Sequence, residues 1–297
     1  MDMPRKHYID NLRTFCVLLL VPYHAAMAFN NWGEQNYILL GSSDILSVFV
    51  MAVSPWLMPL MFLLAGMSAR LSMAKRIPRE FIAERAKRLL LPFGVGIITV
   101  MPILAYLGDV ANNSYDGGFF AHYAVFFTRF TDFTGYDGGF GIGHLWFLPT
   151  LFVIALSVLA VDLVLRKFRV GKPSAWIALP LAVLGFAASP LKLASKSVAE
   201  YLVFYVIGYF FLIDSSICSR MERSFLNRAN GITRRLASES FTFYIFHFVW
   251  VVLFEWWFSH MAIGVNFALT TVCATAATLG TCESVRMLKK FVKGART

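Results

Sequence analysis

Long apolar runs separated by short polar, mostly basic stretches make up this chain. Eight runs approach the roughly 20 predominantly apolar residues that a membrane-spanning helix needs. They cover about 12–31, 45–69, 89–108, 143–165, 174–191, 198–214, 240–258 and 262–282. The fifth is short, with Pro180 inside it and Pro190 at its end. Proline is tolerated in a membrane helix where neighbours satisfy the freed carbonyl. The pattern predicts an all-α, polytopic transmembrane helix bundle of about eight spans, a single membrane domain over 1–297. A six-span reading, with the fifth and sixth runs as one re-entrant pair, leaves both chain ends on the same side.

Composition supports the pattern. The 297 residues are 58% hydrophobic and 15% charged, against about 25% charged in soluble domains. The formal charge of +10 would suit nucleic acid, but its placement does not. With the N-terminus in the cytoplasm, 24 of the 27 Lys and Arg residues fall in segments on the cytoplasmic side; only Arg129, Lys192 and Lys196 lie outside. That bias follows the positive-inside rule. It predicts both termini cytoplasmic, a lipid bilayer as the surroundings and no nucleic-acid partner. The N-terminus reads as a retained first span, since no small-residue cleavage pattern follows it. Cys16, Cys218, Cys273 and Cys282 show no metal-ligand spacing, so neither a disulfide framework nor a metal site is expected.

The longest outside loop, about 109–142, contains Tyr115-Asp116-Gly117-Gly118-Phe119 and then Tyr136-Asp137-Gly138-Gly139-Phe140. Asp-Gly and Gly-Gly mark turns, and Phe119–Phe130 between them suits a short interfacial helix. The aromatic and acidic side chains fit sugar binding and a membrane-interface loop alike. His7, His122 and His260 read as interfacial residues.

Within the first run, Arg13 and His24 are eleven residues apart, just over three helical turns, so they share a face about 16 Å apart along the axis. Arg13 then lies at the membrane boundary and His24 inside the hydrocarbon. An ionisable residue at that depth marks a functional site by default; anchoring for Arg13 and a bundle hydrogen bond for His24 are the plain alternatives.

Four further patterns accompany the pair. The second run holds Ser54-Pro55-Trp56-Leu57-Met58-Pro59-Leu60-Met61-Phe62-Leu63-Leu64-Ala65-Gly66. Arg85-Ala86-Lys87-Arg88-Leu89-Leu90-Leu91-Pro92 opens the third, and His144-Leu145-Trp146-Phe147-Leu148 the fourth. Ser240-Phe241-Thr242-Phe243-Tyr244-Ile245-Phe246-His247 lies in the seventh. In this order, and opened by Ile9-Asp10-Asn11-Leu12-Arg13…His24, they resemble the acyltransferase 3 family of integral membrane O-acyltransferases, from about residue 5 to 290 and including Glu283…Arg286. The second-run sequence and Trp146-Phe147-Leu148-Pro149 are most similar to the glucan biosynthesis protein C type. The acidic residue that the O-acetylase branch carries after that tryptophan is absent: Pro149, Thr150 and Leu151 stand there. Members usually have ten spans, and this chain lacks two, between Asp214 and Ser238.

The resemblance implies transfer of an acyl group, acetyl or succinyl, from cytoplasmic acyl-CoA to a hydroxyl of a periplasmic or extracellular glycan. It places the protein in the bacterial inner membrane. The acceptor would be a carbohydrate or another hydroxyl compound, and no metal is needed. The chemistry asks for a base to take the hydroxyl proton, and His24 fits because imidazole titrates near neutrality. The donor's phosphates ask for arginine forks, for which Arg13, Arg85 and Arg88 are placed, with interfacial anchoring as the alternative for the last two. His247, with Tyr244 one turn before it, would line the thioester path or hydrogen-bond a neighbouring helix. His144 and Trp146 would stand at the acceptor mouth, or in an aromatic belt. A non-catalytic or degenerate family member, or a small-molecule carrier, is the alternative, favoured by the two absent spans.

Overall fold

The computed structural model describes residues 6–169, 196–213 and 215–294, and between the first two of these ranges only positions 180, 183, 185, 192 and 193. The chain is built from helices: α1 (His7–Met27), α2 (Asp44–Met73), α3 (Pro78–Arg85), a π turn (Ala86–Leu90), α4 (Leu91–Asn113), α5 (Phe119–Thr128), a 3-10 turn (Gly143–Trp146) and α6 (Phe147–Lys167). There follow α7 (Val198–Val206), a second π turn (Ile207–Leu212), α8 (Ser216–Arg223), a 3-10 turn (Phe225–Asn227), α9 (Gly231–Trp257) and α10 (Ile263–Gly294). The strand pairing among the described residues is two residues long on each side, Lys192–Leu193 against Lys196–Ser197.

Among the described residues, five helical stretches are long and apolar enough to cross a membrane: Asp44–Met73, Pro78–Asn113, Gly143–Lys167, Gly231–Trp257 and Ile263–Val292. Val198–Leu212 with Ser216–Arg223 makes a sixth if the pair, bent by 81°, is one span. The described residues thus support five or six candidate spans, and the sequence predicts eight over the whole chain. The run at 174–191 lies outside the described residues except at positions 180, 183 and 185. The run at 12–31 forms α1, but Asp10, Asn11, Arg13 and His24 keep it less apolar than the rest. The run at 198–214 breaks near its end, where Ser215 caps α8 by accepting from Cys218 N at 3.3 Å.

The chain divides into two compact units. The first holds Met1–Arg13, Ser54–Gly94 and Leu145–Asn230; the second holds Thr14–Val53, Val95–His144 and Gly231–Thr297. In the first, Tyr8 and Ile9 pack with Leu64 and Met67 of α2 and with Ile213 and Cys218. Asn11 donates to the carbonyls of Leu226 at 2.6 Å and Arg228 at 2.9 Å, so it pins the linker that precedes α9. Gly66 of α2 and Gly208 after α7 let two helix backbones touch. A Cβ on Gly66 would lie 2.2 Å from the Tyr205 carbonyl oxygen, and one on Gly208 2.1 Å from that of Leu63.

In the second unit, Asn30 ends α1. Its amide donates to the carbonyls of Met27 and Glu34, each at 2.9 Å, and its oxygen accepts from Glu34 N. α9 packs lengthwise on α10, whose Asn266, Thr270, Ala274, Thr278 and Cys282 form one buried row at intervals of four. Near the start of α9, Arg235 and Arg286 bind Glu283, and Glu239 lies 3.8 and 3.7 Å from the two arginines. These pairs carry α9 back to Gly231, nine residues before its apolar run.

Candidate active site

Three histidines from three elements meet in the second unit: His24 on the last turn of α1, His144 in the 3-10 turn after Ile142, and His247 in α9. The ring centroids of His24 and His247 are 5.3 Å apart, and those of His144 and His247 are 5.4 Å apart. Phe248 joins them, stacked on His24 at 4.1 Å and edge-on to His144 at 5.4 Å. His144 and His247 are buried and His24 is half-buried.

Hydrogen bonds set two of the tautomers. His247 Nδ1 lies 2.8 Å from the Tyr244 carbonyl oxygen. A carbonyl only accepts, so Nδ1 carries the hydrogen and Nε2 keeps its lone pair. His144 Nε2 lies 3.0 Å from the Ile245 carbonyl oxygen, which leaves the lone pair on Nδ1. Tyr244 donates its hydroxyl to the His144 carbonyl. His144 and the 244–247 turn of α9 therefore hold each other. Both lone-pair nitrogens are buried, with no hydrogen-bond partner among the described residues. An imidazole with its N–H anchored behind and a bare nitrogen in front is organised to accept a proton or a hydroxyl hydrogen.

The other expected residues lie in the first unit. Arg13 Nη2 donates to Ser68 Oγ at 2.6 Å, and Nη1 lies 3.5 Å from Asp10 Oδ1. Arg85 is half-buried with its guanidinium 5.0 Å over the Phe81 ring. Arg88 is exposed and donates to Glu84 at 3.3 Å. Arg85 and Arg88, three residues apart, would share a face at α-helical spacing, but a π turn begins at Ala86. It advances fewer degrees per residue and spreads the two apart around the axis. Trp146 is buried among rings, 5.1 Å from Tyr201 and 6.2 Å from Phe62.

Three buried acidic residues were not legible as site residues. Asp162 of α6 gathers Arg70, Arg166 and Tyr209. Glu255 of α9 is fully buried, with both carboxylate oxygens unpaired among the described residues. Asp109, at the end of α4, takes Asn113 Nδ2 at 2.8 Å, His122 Nε2 at 3.0 Å and Arg129 Nη1 at 3.3 Å. The signal was present in each case: an acid inside or at the edge of an apolar run needs a partner.

His122 is corrected by this geometry. It is fully buried under the loop, not interfacial. Burial lowers its pKa from the ordinary imidazole range, and the Asp109 carboxylate only partly offsets that. His122 then takes up a proton less readily when folded than when unfolded. Stability is full above the ordinary imidazole value and is lost as pH falls through the lower folded one. Thermal unfolding should fall in temperature below about pH 6.5, and His122→Asn should flatten that limb. An acid limb unchanged in His122→Asn assigns it to another group.

A family model described as an acyltransferase domain matches residues 6–214, more than half of the chain. The match takes in Arg13, His24, Arg85, Arg88, His144 and Trp146 and stops before Tyr244 and His247. No curated protein and no solved structure matches the chain.

Proposed function

The chain belongs to the acyltransferase domain family and is a multi-pass membrane acyltransferase; from that premise we propose an O-acyltransferase of the glucan biosynthesis protein C type in the bacterial inner membrane. It moves an acetyl or succinyl group from cytoplasmic acyl-CoA to a hydroxyl of a periplasmic or extracellular glycan. The observation that carries the reading is the pair of bare, buried imidazole nitrogens beside His24.

His24 takes the acceptor's hydroxyl proton as its oxygen attacks the thioester carbonyl. The new C–O bond forms, the C–S bond breaks, and the proton passes to the leaving thiolate to give the CoA thiol. His144 Nδ1 and His247 Nε2 can only accept hydrogen bonds in these tautomers. They suit an acceptor rich in neighbouring hydroxyls, as a sugar is. Arg13, Arg85 and Arg88 hold the donor's phosphates. A charge-assisted contact contributes about 1.5–3 kcal/mol, so Arg13→Ala should weaken CoA binding at least tenfold by calorimetry. Unchanged affinity in all three arginine variants returns them to membrane anchoring.

The eight-span arrangement with both ends cytoplasmic belongs to the same proposal, supported by the basic-residue bias. In a chain whose native cysteines are replaced by serine, Ser114→Cys should react with an impermeant outside reagent and Ser224→Cys should not. The reverse pattern refutes the orientation. The second reading, a non-catalytic member or a carrier, draws on the stretch from Ser215 to Asn230. Its helices are α8 and a single 3-10 turn, where the family would supply two spans. Acyl transfer or thioester hydrolysis by purified protein separates the two readings.

A further inference from the structure

Two arginines gather around the single acidic side chain of Asp162. Arg166 Nη2, at 2.7 Å, and the hydroxyl of Tyr209, at 3.0 Å, both reach Oδ2. Arg70 faces Oδ1 from 3.6 Å, beyond hydrogen-bond range, with its guanidinium 5.5 Å over the Tyr209 ring. Asp162 is buried, while the Arg70 side chain is 26% exposed. A guanidinium has five N–H donors, so Arg70 is a cation held in place with donors to spare.

Its position is built into the helix packing. Gly66 lies one turn before Arg70, and Gly208 immediately precedes Tyr209. Their backbone contact brings the end of α2 against the second π turn. π turns occur often at functional sites. One turn earlier, Tyr205 stacks parallel to Tyr209 with ring centroids 6.4 Å apart, and Arg85 lies within electrostatic reach of Tyr205. Arg70 thus lies over one ring of a tyrosine pair whose other member feels the charge of Arg85, from a different helix.

We propose that Arg70, oriented by Tyr209 and the Asp162–Arg166 pair, is a further phosphate-binding residue of the donor site, acting alongside Arg85. The inference rests on the acyl-CoA reading above. The nucleotide end of such a donor bears a diphosphate and a ribose phosphate, several anionic groups that arginine forks recognise. A phospholipid headgroup offers the same chemistry, so the test distinguishes the two.

The test measures binding of CoA and of pantethine, which lacks phosphate, to the full chain in detergent, with native mass spectrometry of retained phosphatidylglycerol. Arg70→Ala should weaken CoA at least tenfold and leave pantethine unchanged, and Arg70→Lys should recover part of the loss. Arg70→Gln keeps much of the packing without the charge and should give the same loss if Arg70→Ala does not fold. CoA affinity within twofold of the parent in Arg70→Ala or Arg70→Gln overturns the proposal, as does equal loss of CoA and pantethine. Loss of retained lipid with CoA binding intact assigns Arg70 to a headgroup and also overturns it. If Arg13→Ala weakens CoA and Arg70→Ala does not, this inference alone falls. A parent protein that binds no CoA overturns the donor reading and this inference together.

Discussion

Replacing His24 with alanine is expected to lower acyl-transfer turnover by roughly 10²–10⁴-fold, the usual contribution of a positioned base, while CoA affinity stays at the parent value. The donor's phosphates are assigned to arginines that the substitution does not touch. His24 is half-buried and stacked on Phe248, so its loss disturbs little packing. His247 differs: it is fully buried, with one nitrogen committed to the Tyr244 carbonyl. His247→Ala should lose stability as well as turnover, about 2–5 kcal/mol if it behaves like other large-to-small changes in a packed interior. The parent rate should fall on the acid side as the base takes a proton. In His24→Ala that limb should disappear from the residual rate. Single-turnover assays across pH, with thermal unfolding of both variants, make the comparison. If His24→Ala turns over near the parent rate, His24 is not the base, and His247 Nε2, already presented as a lone pair, takes the role.

What the sequence discloses about this site is the inventory, not the assembly. An apolar run is a local property, so α2, α4, α6, α9 and α10 could be located from composition alone. Their true ends could not, because α9 starts at Gly231 through pairs such as Arg235 with Glu283 that join distant segments. His24, His144 and His247 each stand out as polar residues in apolar surroundings. That their rings meet, and that two have their tautomers set by Tyr244 and Ile245 carbonyls, follows only from how α1 and α9 pack. Buried acids are what such local patterns leave out. Counting Lys and Arg by side finds the cytoplasmic edge but passes over Asp162, which gives Arg70 and Arg166 a shared partner. His122 differs from its sequence reading for a related reason: a residue of a short apolar helix looks interfacial until Asp109, thirteen positions earlier, lies against it. The π turn after Arg85 has no signature in residue type, and it alters which arginines share a face.

Alanine at Gly66 or Gly208 should abolish most of the folded protein, although alanine is the better helix former. In a bilayer, helices associate through close packing, and small residues let backbones approach. Here the atoms facing each glycine are main-chain oxygens at 2.2 and 2.1 Å from the added Cβ. A side chain could rotate away from such a contact, but a helix carbonyl cannot, so the helices must separate. Overpacking typically costs 1–3 kcal/mol, and a clash with backbone on this scale should reach about 3 kcal/mol or more in each variant. The same contact seats Tyr209 beneath Arg70, so any surviving folded fraction should also bind CoA more weakly. Gly94→Ala is the control: nothing lies within 4 Å of its added Cβ, and the change should be neutral or stabilising by up to about 1 kcal/mol. Because Gly66 and Gly208 meet at one crossing, Gly66→Ala with Gly208→Ala should cost less than the sum of the two. Thermal unfolding in detergent, with the yield of monodisperse protein, measures all four variants. Gly66→Ala and Gly208→Ala unfolding at the same temperature as Gly94→Ala would mean that the helices are not in backbone contact there.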